Sequence, residues 1–177
     1  MKTERVNTNP GIVNLKIPGN KNFPNSSLPV LLYKNALVLP HQKNKAAEIT
    51  QQVFIRNGWS NSWRNGIYAF HHYHSNTHEC MGICLGSAKV MLGGPNGKKV
   101  ELTQGDVIIL PAGVGHRCLH FSKDFLCIGA YPQGKDYDIN YGKASELEKA
   151  LSNIHKISIP RKDPVFGNKG FLRSYWK

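Results

Sequence analysis

Long apolar runs are missing from this sequence. No segment approaches the roughly 18 consecutive apolar residues of a membrane-spanning helix, which argues against a membrane protein. The first residues, Met1–Asn7, also lack the apolar stretch of a secretory signal peptide. We therefore expect a cytoplasmic protein without a membrane partner.

Acidic residues are scarce, with 11 Asp and Glu against 23 Lys and Arg and a net charge of +12. The basic residues are spread along the chain, and no block of consecutive Lys or Arg resembles a nucleic-acid-binding arm. No helix-turn-helix pattern is visible either. We expect no nucleic-acid partner, and the positive charge would favour an anionic small-molecule ligand.

Cysteine is sparse, with four residues in the chain. Cys80 and Cys84 lack the second pair that marks a zinc ribbon. We expect the cysteines to be small buried side chains in a reducing compartment. Cys118 differs because it has the parity of His116 on a predicted strand, so it could face the same pocket.

Histidine, in contrast, is clustered, because six of the eight histidines lie between positions 71 and 120. His72 and His74 would project from one face of a strand, where alternate side chains point the same way. Glu79 follows a polar turn and would open the returning strand of a hairpin. His116 follows a glycine-rich turn and would add a fourth ligand.

This donor set predicts one divalent first-row metal ion: Fe, Mn, Ni, Zn or Cu. Three neutral imidazoles and one carboxylate leave coordination positions open, as catalytic rather than structural metal sites do. The metal ligands predicted from the sequence are His72, His74, Glu79 and His116. No organic cofactor is predicted.

The spacing of these residues resembles the first cupin motif. Its fixed positions correspond here to Gly66, His72, His74, Glu79 and Gly86. The match places both histidines and the carboxylate at the positions where this family carries metal ligands. The resemblance therefore implies the same metal site as the residue pattern.

A second stretch resembles the second cupin motif. Gly105, Pro111, Gly113 and His116 occupy its fixed positions, 18 residues after the end of the first motif. The motif usually ends in Asn, where this chain has His120, a departure that leaves the metal ligands intact but could alter the pocket wall.

Over residues 29–170 the sequence also resembles, more loosely, the YjlB-like branch of small bacterial cupins. The resemblance implies an all-β jelly-roll barrel (a double-stranded β-helix) with one or two peripheral helices, the metal site inside the barrel, and a homodimer. A metal-dependent enzyme of dioxygenase or isomerase type, acting on a small organic molecule, is one reading. The alternative is a non-catalytic module that binds a metal or a small ligand.

The chain divides into segments within one predicted domain, 1–177. Leu28–Leu39, bounded by prolines, predicts a strand at a sheet edge, and a short strand is expected around 12–17. The predicted segments are an N-terminal arm (1–27), a covering helix (44–57), the metal-binding barrel core (59–132), a helix (145–155) and an extended tail (158–177) that packs over the barrel or a partner chain.

Parity also suggests which side chains surround the metal. Tyr68 and Phe70 share the parity of the first two histidine ligands, so we expect both to line the cavity. Cys118 and His120 share the parity of the last histidine ligand. No pattern identifies a catalytic residue, and the candidates for a non-ligand acid or base are His120, Tyr68 and Cys118.

Overall fold

The computed structural model describes residues 5–177, and its strands form two antiparallel sheets. The six-stranded sheet has the order β1-β2-β7-β4-β9-β3, and the three-stranded sheet has the order β6-β5-β8. The strands are β1 (Gly11–Ile17), β2 (Ser26–Lys34), β3 (Trp59–Asn65), β4 (Glu79–Leu85), β5 (Ser87–Leu92), β6 (Lys98–Thr103), β7 (Val107–Leu110), β8 (His116–Phe121) and β9 (Leu126–Pro132).

Apolar side chains from both sheets pack together in the barrel interior. On β4, Met81 and Ile83 face this interior, where they meet Val90 and Leu92 from β5. The intervening residues of β4 point to the opposite face because side chains alternate along a strand. The predicted all-β jelly roll is confirmed.

The outer face of the six-stranded sheet is covered by helix α1 (Lys43–Arg56). The predicted covering helix, 44–57, differs from it by one residue at each end. Gly82 of β4 permits the close contact, because a Cβ atom there would lie 2.6 Å from the Thr50 methyl group of the helix. All four cysteines are free and buried, as expected.

Strand β2 is an interior strand, so the prediction of an edge strand at 28–39 was wrong. It pairs with β1 on one side and β7 on the other. The short strand expected near 12–17 is present as β1, and it occupies the edge. Pro29 is tolerated because the β1–β2 register is irregular at that point.

The C-terminal segment packs on the barrel, but it is not extended as predicted. It contains helix α3 (Leu172–Tyr175), and Trp176 is buried, with its indole N–H donating to the Pro29 carbonyl at 2.8 Å. Upstream, the predicted helix 145–155 is α2 (Leu147–Ile154), preceded by a 3-10 turn. Within residues 5–177, no helix has the length and apolar character needed to cross a membrane.

Asp163 holds this segment in place. Its buried carboxylate accepts hydrogen bonds from the Tyr33 hydroxyl at 2.6 Å and from the backbone N–H groups of Val165, Phe166 and Leu172. The glycines and prolines that suggested an extended chain instead form turns around this carboxylate. The segment is therefore tied to β2 by a buried polar network.

Replacing Asp163 by Ala should lower the free energy of unfolding by about 3 kcal/mol, because four donors lose a charged acceptor. Tyr33→Phe removes only one of these donors and should cost about 1 kcal/mol. Urea denaturation of both variants measures the difference. Equal losses in the two variants would show that the carboxylate does not organise the segment.

Candidate metal centre

His72 and His74 lie in an irregular stretch between β3 and β4, and not on a strand as predicted. His72 forms a two-residue bridge with His116, with backbone N–H to O distances of 3.1 and 2.8 Å in the two directions. The carbonyl of His74 accepts the Gly113 N–H at 2.8 Å. The stretch is therefore tied to the segment that leads into β8.

The three imidazoles converge on one point. Each ring contributes one nitrogen to a group of three. The three nitrogens, from His72, His74 and His116, all lie within 4.8 Å of one another. The Glu79 carboxylate joins them, with Oε2 at 3.4 Å from Nε2 of both His74 and His116. All four side chains are at least 95% buried. The four residues predicted as ligands are thus brought together.

Each imidazole is oriented by a backbone carbonyl on its other nitrogen. Nδ1 of His72 lies 3.1 Å from the Phe70 carbonyl, and Nδ1 of His116 lies 3.0 Å from the Val114 carbonyl. Nδ1 of His74 bonds to the carbonyl of Asp138. A carbonyl only accepts, so each Nδ1 carries a proton and each neutral ring presents an unprotonated Nε2.

Glu79 is held by an aromatic pair. Its Oε1 accepts the Tyr131 hydroxyl at 2.9 Å, and that hydroxyl accepts the Trp63 indole N–H at 2.8 Å. Oε2 is buried without a hydrogen-bond partner among residues 5–177. A carboxylate oxygen beside two imidazole nitrogens, with a third imidazole close to both, is an electrostatic arrangement that a cation stabilises, so the donor set fits a divalent first-row metal.

The charge states of the buried groups are coupled. Burial, reinforced by the nearby His116, lowers the pKa of His72 to about 3. Burial also acts to lower the pKa of His74, but the Glu79 carboxylate outweighs it and the pKa is raised. Burial would raise the pKa of Glu79, yet the neighbouring histidines, His74 foremost, hold it well below its usual value.

A cavity of about 240 Å³ opens beside these four groups. Its walls are largely aromatic and apolar, with one arginine. Its remaining lining residues are Trp63, Arg64, Asn65, Gly66, Ile67, Tyr68, Met81, Tyr131 and Tyr137.

Of the residues predicted beside the metal, Tyr68 lines this cavity and Phe70 does not. The Tyr68 ring lies 5.1 Å from the His72 ring, between centroids. Phe70 is 41% exposed and stacks on the outer side of Tyr68, with centroids 4.8 Å apart. The prediction for Phe70 was wrong because this stretch bends instead of continuing as a regular strand.

The other two acid–base candidates lie outside the cavity. The β5–β8 pairing matches Val90 to Cys118 but Lys89 to His120, so Leu119 is an extra, bulged residue. The bulge breaks the predicted parity and leaves His120 exposed on the surface. Cys118 is buried in the apolar barrel interior. Neither side chain lines the cavity beside the three histidines and Glu79.

Two residues that the sequence did not single out complete the site. The Asp138 carboxylate accepts the Ser75 backbone N–H at 2.6 Å and the Ser75 hydroxyl, while its carbonyl holds His74. Tyr137 lies against His74, with ring centroids 5.0 Å apart. Their loop follows β9, more than 60 residues after the histidine, and only its richness in Asp and Tyr set it apart in the sequence.

The chain is similar to known proteins. A family model described as Cupin matches residues 62–144. The uncharacterized protein YjlB of Bacillus subtilis (strain 168) is 38% identical over 161 residues, which cover 91% of this chain and 90% of that protein. The chain belongs to the cupin superfamily.

Solved structures show weaker likeness to this cupin. The QdtA 3,4-ketoisomerase from Thermoanaerobacterium thermosaccharolyticum, in complex with TDP, is 14% identical with a TM-score of 0.46, over 82% of this chain and 96% of that one. Acireductone dioxygenase from Bacillus anthracis, with a cadmium ion in its active centre, is 18% identical with a TM-score of 0.38, over 53% of this chain and 65% of that one. These values are too low to support an argument about chemistry.

Replacing Tyr131 by Phe should weaken metal binding about tenfold, because Glu79 loses the hydrogen bond that orients it. Tyr73→Phe is the matched control, since the Tyr73 hydroxyl is buried without a partner in the described chain, and it should leave the affinity unchanged. Competition with a chelator of known zinc affinity measures both. Equal affinity in wild type and Tyr131→Phe would rule out this role for the hydroxyl.

Metal content should fall as the pH is lowered. Because its pKa is raised, His74 in the metal-free site stays protonated to a higher pH than an ordinary histidine does. A metal ion must displace this proton in order to bind. Affinity should therefore rise with pH until it passes the pKa of His74. Calorimetry in buffers of different ionisation enthalpy should detect proton release, and the same metal content at pH 5 and pH 8 would contradict a three-histidine site.

Proposed function

We propose that this cupin is a metal-dependent enzyme that acts on a small organic molecule, in a reaction of dioxygenase or isomerase type. His72, His74, Glu79 and His116 would hold one divalent first-row metal ion. The observation that carries the proposal is the convergence of three buried imidazoles on the wall of a cavity, beside a buried carboxylate oxygen that accepts no hydrogen bond within residues 5–177. When bound, the ion supplies a Lewis acid or a redox centre.

The cavity supports a small substrate. Its volume of about 240 Å³ lies below the range of about 300–1,000 Å³ that is usual for drug-sized ligands. Aromatic rings of Trp63, Tyr68, Tyr131 and Tyr137 form much of its surface, so a planar or apolar group would pack there and exclude water. Arg64 adds a positive charge to the lining, which favours a substrate with an anionic group.

Two tyrosines at the edge of the cavity are not proposed metal ligands, but they can contact a substrate directly. Tyr68 and Tyr137 are 45% and 36% exposed, and each ring packs against one of the histidine ligands. The pKa of Tyr137 is raised, by burial first and then by the nearby Tyr68 and Glu79. Its hydroxyl therefore keeps its proton near neutral pH and can donate a hydrogen bond to a substrate oxygen.

Tyr131 has a different part in the same cavity. Its hydroxyl is already engaged by Trp63 and Glu79, and its pKa is raised by burial and by that carboxylate. It stays protonated and fixes the carboxylate instead of exchanging a proton with a substrate. Proton transfer to or from a substrate would then fall to the two tyrosines at the edge.

Elemental analysis of untagged protein tests the proposal. Wild type should carry about one iron, manganese, nickel, copper or zinc ion per chain, and His74→Ala should carry none, because the ligand set is broken. His41→Ala is the matched control, since His41 is exposed and outside the site, and it should keep the metal. Circular dichroism should show that all three proteins are folded.

The metal found directs the search for a reaction. Iron or manganese would favour oxygen or redox chemistry, and diketones, phenols and thiols would be screened as substrates. Absence of metal from both wild type and His74→Ala, even after anaerobic reconstitution with iron, would remove the metalloenzyme proposal. Metal in wild type with no turnover of any substrate would favour the non-catalytic binding module.

A further inference from the structure

A second cavity, of about 650 Å³, lies where β3 begins and β9 ends, and it shares no lining residue with the metal site. Its walls are residues 57–59, the pair 77–78, the turn after β9 and the segment 157–162. None of the lining residues is acidic, and Lys135, Arg161 and Lys162 are basic. The cavity is therefore electropositive.

A buried histidine with a poorly satisfied donor lines this cavity. His78 is 3% exposed, and its Nδ1 accepts the Ala112 backbone N–H at 3.0 Å, so its proton is on Nε2. Nε2 makes no hydrogen bond of normal geometry within residues 5–177, although the Ser158 carbonyl lies on that side of the ring. Because the Ser158 carbonyl satisfies this buried donor poorly, an acceptor from a ligand would be favoured in its place.

The ring of His78 is fixed, which makes this donor directional. Besides the hydrogen bond from Ala112, it packs against the indole of Trp176, with ring centroids 4.7 Å apart. Both contacts come from parts of the chain outside the two segments that carry the basic residues. The donor is thus part of a built site and not a mobile surface group.

The three basic side chains at the mouth are available to a ligand. All three are exposed, and none forms an ion pair within the described part of the chain. Like charges gathered around one opening repel each other, and an anion bound between them relieves that repulsion. Arg161 can also bind a phosphate or carboxylate through two parallel hydrogen bonds.

We propose that this cavity binds a small molecule through a phosphate or carboxylate group. Nε2–H of His78 donates to the anion from within the cavity, and Lys135, Arg161 and Lys162 balance its charge at the mouth. The volume lies within the usual range of about 300–1,000 Å³ for small-molecule sites, so the ligand is larger than the anionic group alone. The site does not require the metal and would exist in a non-catalytic protein as well.

One loop, which follows β9, contributes to the walls of both cavities. Lys135 lines the second cavity, and Tyr137, two residues later, lines the first. Asp138 then ties the loop to the stretch that carries His74. An anion that draws Lys135 inward would therefore act on the loop that forms one wall of the metal-site cavity.

Isothermal titration calorimetry of the protein as purified tests this site, with inorganic phosphate and succinate as probes at low ionic strength, where exposed charges are weakly screened. The double variant Arg161→Ala/Lys162→Ala should bind the preferred anion about tenfold more weakly. Lys98→Ala/Lys99→Ala removes the same charge from exposed positions on β6, and it should change the affinity by less than about twofold.

The outcomes distinguish a specific anion-binding site from general electrostatic attraction of anions to a basic protein. Equal weakening in both double variants, or no binding of either probe up to about 10 mM, would overturn the proposal. His78→Phe keeps a ring over Trp176 but removes the donor, and it should weaken binding several-fold. Unchanged affinity in a folded His78→Phe protein would show that the buried His78 donor does not bind the anion. If that variant does not fold, the two double variants still decide.

Discussion

The candidate site depends on a Glu79 carboxylate oxygen that is buried beside the imidazoles of His74 and His116 and accepts no hydrogen bond within residues 5–177. Burying a charge in this way is costly unless an opposite charge compensates it. The fold keeps Glu79 in this position with the Tyr131 hydroxyl on its other oxygen, and Trp63 supports that hydroxyl. A proton or a cation between these groups offsets that cost, which is why the pKa of His74 is raised and that of Glu79 is lowered.

The convergence of the four proposed ligands was predictable because each belongs to a short local pattern. His72, His74 and Glu79 fall within eight residues, and His116 follows a turn whose residue types are distinctive. The covering helix was also predictable, since its apolar stripe has a clear period. The predicted strand at 68–74 was wrong, yet His72 and His74 still face the same point because the stretch pairs with the start of β8.

The surroundings of the ligands were not predictable, because they depend on contacts between distant residues. His74 is held by Asp138, 64 residues away in the chain. His120 leaves the inward face because of one bulged residue, Leu119, which alternation alone cannot reveal. In the same way, β2 became an interior strand because the segment before it folded back along it. Short spacing therefore identified the ligands, and long-range pairing decided which other side chains surround them.

The four ligands come from both halves of the barrel, since Glu79 begins a strand of the larger sheet and His116 begins a strand of the smaller one. A metal ion held by both would act as a removable cross-link between the sheets, in a chain whose cysteines are all free. Like a disulfide, such a link closes a loop of the unfolded chain and restricts its freedom. Unlike a disulfide, its strength follows the metal concentration, so the resistance of the barrel to opening would vary with the metal supply of its surroundings.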